Sequence, residues 1–541
     1  MVHYRRLLAN IATVLIVALL AGCASLPKSP HLPKSQLLTS QAQKRHQLIK
    51  QGGGVGNLIT AINEQSQYYP NLSGYYPIAT GANAFASRST LTNLSSQTID
   101  VQYYIWHNDE AGQLMLKDLW EAAQRGVIIR LLLDDFNSSS DLDQLLVRFA
   151  KHPNIAVRLM NPLPYRKLRS INYLAHPARS NKRMHNKSMT FDNKISVIGG
   201  RNIGNEYLNN APENNFADLD VMLVGEVVGR ITDSFESYWS SPLSFDIETL
   251  VRDDQQSFTD IVKPSVIDDI QQSKTVAESE RILRTYRHAM QNSTIGQKLL
   301  DKQVPFFWTT IDLLADDVKK LSNQASLDDF LVSKLQRRLG QPNSQLSIIS
   351  SYFVPTKQGV DTLTKLAKMG VQVTILTNSF DATDVGIVHA GYAHWRKQLL
   401  AAGVRLFEIK STAQSVEENE NRFWRTREQS TTSLHAKAFA VDDDKVFIGS
   451  YNVDPRSANI NTELGVLIQD PKLAKQLHNA LSNNGTLANQ AYELKLSDTG
   501  DIQWHTIENG KAVIYDSEPN MDRKDRVIIN IASLLPIDWL L

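Results

Sequence analysis

The sequence predicts an α/β protein built twice over, with two lobes of mixed strands and helices facing each other across a pseudo-twofold axis. Two observations carry this reading. A strand–helix–strand pattern occurs once in each half of the chain, at an offset near 250 residues. Each copy is followed by the same set of polar residues at the same spacing. Length agrees, because 541 residues exceed what one hydrophobic core organises, roughly 250 to 300. A composition of 42% hydrophobic and 21% charged residues describes a folded chain and excludes a disordered or fibrous one.

Residues 1–22 read as a signal peptide: Arg5 and Arg6 precede an apolar run, Leu7 to Leu20, too short to cross a bilayer core of roughly 20 residues. Leu20-Ala21-Gly22-Cys23 resembles a bacterial lipobox, which implies a lipidated Cys23 as the new N-terminus. Ala24, in place of an aspartate, implies a lipid-anchored protein of the cell envelope on the periplasmic side of the outer membrane. Residues 23–72, rich in Pro, Ser, Gln and Lys and broken by Gly52-Gly53-Gly54, read as a flexible tether. A first lobe is expected over 73–247, with strand 98–106, helix 112–125 and strand 127–133, then a further helix and strand within 141–160. A helical connector is expected over 248–339, including helices at 278–291 and 311–321. The second lobe, 340–541, repeats the pattern as strand 346–354, helix 359–369 and strand 371–376, with helix plus strand again in 392–407. The apolar end, Leu534 to Leu541, reads as a segment that docks into a core.

Cys23 is the single cysteine, so an intrachain disulfide and a cysteine zinc site are excluded. Net charge is +1, and −1 once residues 1–22 with their two arginines are removed. That balance argues against nucleic acid as a partner held by overall charge.

The chemistry sits in His-x-Lys-x4-Asp, found as His185, Lys187 and Asp192 in the first half and His435, Lys437 and Asp442 in the second. Each is followed by a glycine turn and an asparagine: Gly199-Gly200 and Asn202, Gly449-Ser450 and Asn452. Alternation along a strand puts each histidine and lysine on one face. Two such pairs meeting in one pocket suit a phosphodiester: lysines supply charge for the nonbridging oxygens and asparagines add donors. One neutral imidazole can attack phosphorus while the other donates a proton to the leaving oxygen. Metal binding is disfavoured, since a lysine stands where a second ligand belongs. No glycine-rich nucleotide fingerprint occurs, and no cofactor is expected.

With the stretches SGYYP at 73–77, DVQYYIWHND at 100–109 and HAKAFAVDDDKVFIGSYNVDPRSANINTELGV at 435–466, these motifs resemble the phospholipase D superfamily, in particular its bacterial cardiolipin synthase branch. The resemblance implies two α/β/α sandwich lobes with a shared active site and a covalent phosphohistidine intermediate without metal. It implies His185 as nucleophile and His435 as acid, with Lys187, Lys437, Asp192 and Asp442 completing the catalytic group. Asp192 and Asp442, five residues past their lysines, read more as structural anchors than as reactants. Asn202, Asn452, Ser450 and Glu463 are the candidates for substrate binding. Glu463 resembles the family acid that orients an active-site histidine, and Asp218 or Asp220 is the first-half candidate for that role. Arg183, Arg201 and Arg456 are candidates to extend the anionic pocket; Tyr103, Tyr104, Trp106 and Tyr352 read mostly as core. Phospholipids are the implied substrates and the membrane the implied partner. The resemblance implies a phosphatidyltransferase, with hydrolysis to phosphatidic acid the alternative that the motifs do not separate. Lipidation and the near-neutral chain argue against a nuclease. Two intact motifs argue against a lipid binder without catalysis, which needs the cations but not both histidines.

Overall fold

A computed structural model describes residues 26–27, 30–51, 57–208, 214–258, 293–412, 431–482, 486–522 and 524. Cys23, the signal peptide, the expected helix at 278–291 and the apolar end lie outside the described residues.

Two large sheets dominate. In the first, strands Thr98–Tyr103, Ile128–Asp134 and Ile155–Met160 run parallel. In the second, Gln345–Ser350, Gln372–Asn378 and Arg405–Ile409 do the same. Both trios agree with the sequence expectation to within three or four residues at their ends. Helices cover the sheet faces, so nearly every position in these strands is buried, polar ones such as Asp100, Arg130 and Thr374 included. Helix Glu110–Gln124 begins where Asp109 caps it, its carboxylate accepting from the Gly112 amide at 3.0 Å.

On the other side of each central strand the pairing is antiparallel. Ser188–Phe191, Ile195–Gly199 and Asp220–Gly225 complete the first sheet, and Lys437–Val441, Lys445–Gly449 and Leu464–Gln469 the second. The halves diverge at the far edge. The second sheet continues through Ala491–Leu496, Ile502–Glu508 and Lys511–Tyr515, whereas the first ends at Ser244–Asp246. A buried apolar cluster spans both lobes, including Ile198, Val221 and Leu223 of the first and Ile349, Leu376 and Phe407 of the second.

Two expectations are corrected. The tether contains the helix Pro33–Lys50, which packs on the first lobe through Ser35, Leu38, Ala42, His46 and Ile49. That stripe keeps helical spacing but is partly polar, which hides it from a search for apolar periodicity. Its polar members have partners: Ser35 Oγ accepts from Arg158, and His46 Nε2 lies 3.0 Å from Thr98 Oγ1. In the connector, the helix expected at 311–321 is instead the strand Ile311–Ala315 followed by a short 3-10 turn, Val318–Ser322. Phe307–Thr309 hems the first sheet beside Ser73–Ile78, and Ile311–Ala315 hems the second beside Leu464–Gln469. One extended stretch thus passes from one sheet to the other, where open edges outweigh local helix propensity.

Candidate active site

Both histidines lie in extended segments just ahead of their strands, at the seam between the lobes. A polar residue ending a parallel strand fixes each approach. Asp134 Oδ2 accepts from the Met184 amide at 2.8 Å. Asn378 takes both backbone groups of Leu434, accepting from N at 2.8 Å and donating to O at 2.9 Å. The sequence reading missed this pair, although each stands as the polar end of an apolar strand in equivalent repeats.

The seam is made by reciprocal backbone pairing. His185 N donates to Thr462 O at 2.9 Å, and Thr462 N donates to Arg183 O at 3.0 Å. In the other direction, His435 N donates to Ala217 O at 2.8 Å, and the short strands Asn214–Ala217 and Thr431–Leu434 run parallel. In each case the residue after the carbonyl acceptor is a carboxylate. Glu463, of the second lobe, thereby meets His185, with Oε2 2.8 Å from Nδ1. Asp218, of the first lobe, meets His435, with Oδ2 2.6 Å from Nδ1. The expectation that Asp218 or Asp220 serves the first half is therefore corrected: the carboxylates cross over. Asp220 is taken up by Arg88 at 2.9 Å and Arg201 at 3.4 Å.

Both imidazoles are buried, 9% and 7% exposed, and both are held through Nδ1. That leaves Nε2 as the atom each ring presents. Tyr104 meets the His185 ring edge-on at 4.8 Å, and Tyr207, which the sequence reading did not single out, does the same to His435 at 5.2 Å. Lys187 Nζ donates to the carbonyl of His185 at 2.7 Å, and Lys437 Nζ donates to that of His435. Each ammonium is therefore folded back against its own histidine.

The electrostatics of the two pairs differ. Burial and the charges of Lys187, Lys437 and His435 hold His185 well below its ordinary value. Burial and Lys437 also lower His435, but Asp218 opposes them. Burial pushes against ionisation of Asp218, yet His435, Lys437 and Arg201 outweigh it and keep the carboxylate low. Burial wins at Glu463, raising it to about 7 against the pull of Lys187 and Ser450. The lysines fall, chiefly by burial, to about 7 for Lys187 and about 8 for Lys437.

Several expected site residues lie elsewhere or do other work. Asp192 accepts from the amides of Ser96, Gln97 and Thr98, and Asp442 from those of Asn343, Ser344 and Gln345. Each pins the strand hairpin at the end remote from its histidine, so the structure does not place them in the catalytic group. Ser450 Oγ donates to Glu463, and Leu464 N donates to Ser450 Oγ at 3.0 Å. Ser450 and Glu463 accordingly sit behind His185 and do not face a substrate. At the equivalent first-half position, Gly200, a Cβ would lie 2.1 Å from Asp218 Oδ1, so no serine fits there. Asn202 accepts from the Ile105 amide at 3.2 Å, and Asn452 from Ser351 Oγ at 2.8 Å. Arg183 and Arg201 are enclosed by backbone carbonyls and the carboxylates of Asp134 and Asp220, which removes them from the anion pocket. Arg456 reaches across the seam to Asn181 Oδ1 at 2.5 Å. Asp316, from the connector, accepts from the Glu463 amide at 2.8 Å and is a further support the sequence did not mark.

Fold and site together define a two-lobed protein of the phospholipase D type. The family described as "Cardiolipin synthase, PLD-like domain" matches twice, at residues 90–239 and 335–484, and the chain belongs to it. Among relatives, Cardiolipin synthase C of Escherichia coli (strain K12) is 39% identical over 90% of this chain and 99% of that protein. Cardiolipin synthase B of the same strain is 24% identical over 80% and 81%. The crystal structure of a phosphatidylserine synthase from Haemophilus influenzae Rd KW20 superposes with a TM-score of 0.53 at 13% identity, over 88% of this chain and 98% of that one, a likeness of fold. Among the described residues no helix is long and apolar enough to cross a membrane.

Proposed function

We propose that the protein is a phosphatidyltransferase that forms cardiolipin from phospholipid phosphodiesters through a phosphohistidine on His185. The observation that supports this most directly is the crossed arrangement: one imidazole per lobe, each oriented through Nδ1 by the other lobe's carboxylate. With Nδ1 engaged, Nε2 of neutral His185 attacks phosphorus, forming a P–N bond as the P–O bond to the departing alcohol breaks. The departing oxygen takes a proton from Nε2 of His435, whose charged form Asp218 stabilises. Phosphorylation makes the His185 ring cationic, and Glu463, poised at about 7, accepts its Nδ1 proton. In the second step the hydroxyl of an acceptor phosphatidylglycerol gives its proton to His435 and attacks phosphorus. The P–N bond then breaks, and His185 recovers its proton from Glu463. The anionic phosphodiester restores charge on Lys187 and Lys437, which neutralise its nonbridging oxygens.

Lipidation of Cys23, anchoring to the outer membrane and an unaided, metal-free reaction belong to the same reading. The test supplies the purified full-length chain with phosphatidylglycerol vesicles in EDTA and identifies products by mass spectrometry. Cardiolipin with equimolar glycerol is expected. Phosphatidic acid as the sole product would replace transfer by hydrolysis, and failure to form any product without added divalent metal would overturn the mechanism.

A further inference from the structure

The first lobe carries a surface that the proposed reaction does not use. Between Leu163 and Arg183 the chain contains six lysines and arginines and no acidic residue. Within this stretch Leu174 is 84% exposed, Leu168 57% and Tyr173 50%. A single exposed apolar side chain is ordinary, but three within seven residues make a patch of the kind that marks an interaction surface.

The stretch is not loose. Arg166 and Arg169 tie it to the buried Asp135 and Asp143 through partly exposed ion pairs, among them Arg166 to Asp135 at 2.9 Å and Arg169 to Asp143 at 3.0 Å. Asn172, fully buried, accepts from the Tyr165 amide at 3.0 Å and donates to the Tyr165 carbonyl at 2.9 Å. These bonds consume two arginines and Asp134 holds a third, Arg183, which leaves Lys167, exposed beside Leu168, with the half-buried Arg179 and Lys182. The scaffold therefore holds the apolar side chains outward instead of leaving them to collapse. The surface is also continuous with the site. Tyr173 meets Phe136 at 6.2 Å, Phe136 stacks on Tyr104 at 5.9 Å, and Tyr104 packs on His185 at 4.8 Å.

We infer that residues 163–183 form a docking surface that seats the first lobe on an anionic phospholipid bilayer. Leu168, Tyr173 and Leu174 enter the headgroup boundary, and Lys167, with Arg179 and Lys182, meets lipid phosphates. The ring series from Tyr173 to His185 gives a lipid headgroup an apolar wall between the bilayer and the site. This inference rests on the reading that the substrate is a bilayer lipid, and it assigns contact with the membrane to a surface of the catalytic body, separate from any N-terminal anchor.

Two measurements test it on the full chain. In the first, Leu174→Cys carries an environment-sensitive fluorophore, and the unsubstituted chain labelled in parallel accounts for Cys23. Vesicles of phosphatidylglycerol and phosphatidylethanolamine with brominated acyl chains should quench the probe. Absence of quenching overturns the inference, and a concentration-dependent dimer seen alongside it would assign the surface to a second copy of the chain. In the second, Leu168→Asp/Leu174→Asp should lower the rate on vesicles by at least about tenfold. The rate on short-chain phosphatidylglycerol below its micelle concentration should stay within about twofold, which also shows that the variant folds. Equal loss on both substrates overturns the inference. Quenching with phosphatidic acid as the product would refute transfer while leaving the docking surface in place.

Discussion

The two halves of the site are built alike and charged differently. His185 and His435 precede equivalent strands, are held through the same ring nitrogen and face a carboxylate at the same topological position. Asp218 remains ionised against His435, while Glu463 rises to about 7 against His185. The shorter side chain of Asp218 leaves no room for a hydroxyl at Gly200; Glu463, longer, receives the hydrogen bond of Ser450. The lesson is that a duplicated motif need not give duplicated roles. The proposed mechanism uses that difference, assigning attack to the imidazole held well below its ordinary value and proton donation to the one with a fixed negative charge beside it.

The most severe way to break this comparison is to remove either ring. His185→Ala should abolish transfer for every donor, and His435→Ala should lower it by about 10² to 10⁴ for natural lipids. With a p-nitrophenyl phosphodiester, whose departing oxygen needs no proton, His435→Ala should recover most of its loss in a stopped-flow assay and His185→Ala none. Equal recovery in both would reverse or dissolve the assignment.

The carboxylates come next. Asp218→Asn should cost on the order of 10² in kcat, since it removes the charge that supports the acid. Without that charge His435 loses its proton at lower pH, so the descending limb of the kcat profile should move toward acid. Glu463→Gln should cost only about tenfold, the worth of one pKa unit, because the amide oxygen still accepts from Nδ1 and holds the tautomer, while a carboxyl at about 7 is only about half ionised at neutral pH. A larger loss for Glu463 than for Asp218 would contradict the electrostatic difference.

The lysines should affect binding more than turnover. Both are protonated below their lowered values of about 7 and about 8, so the KM for an anionic donor should rise as pH passes from about 7 to about 8. A KM flat to pH 9, measured on vesicles of fixed composition, would remove them from phosphate binding.

The smallest effect concerns the remote aspartates, which again differ between halves. Backbone amides overcome a modest burial cost and lower Asp442 to about 2, so its contribution to stability is present above the unfolded value near 4 and is lost as pH falls toward 2. Burial outweighs the amides at Asp192 and raises it, so acid does not remove stability there. Between about pH 4 and pH 2.5, hydrogen-exchange protection relative to the unfolded chain should fall at Asn343 to Gln345 and not at Ser96 to Thr98. Asp192→Asn should cost about 1–3 kcal/mol of stability with the rate per folded molecule unchanged. Both aspartates sit at positive φ, 50° for Asp192 and 48° for Asp442, which asparagine tolerates better than alanine.

What could be read in advance follows the range of the forces involved. Parallel strand trios, their helices and the twice-repeated histidine, lysine and aspartate are written in local periodicity and spacing. The helix at Pro33–Lys50 escaped because partly polar residues line its buried stripe. The strand at Ile311–Ala315 escaped because an open sheet edge, invisible in local sequence, claims it. Tyr207, Asp134, Asn378 and Asp316 escaped because each acts through a neighbour distant in the chain.

By itself the sequence determined the duplicated α/β plan and the two imidazole and ammonium pairs, since hydrophobic period and residue spacing are local properties of the chain. Only the tertiary structure decided which carboxylate serves which histidine. That choice depends on backbone pairing between segments more than 200 residues apart, such as His185 with Thr462 and His435 with Ala217. The charge on each carboxylate follows from that choice, because burial and neighbouring cations set it, and both exist only once the two lobes have met.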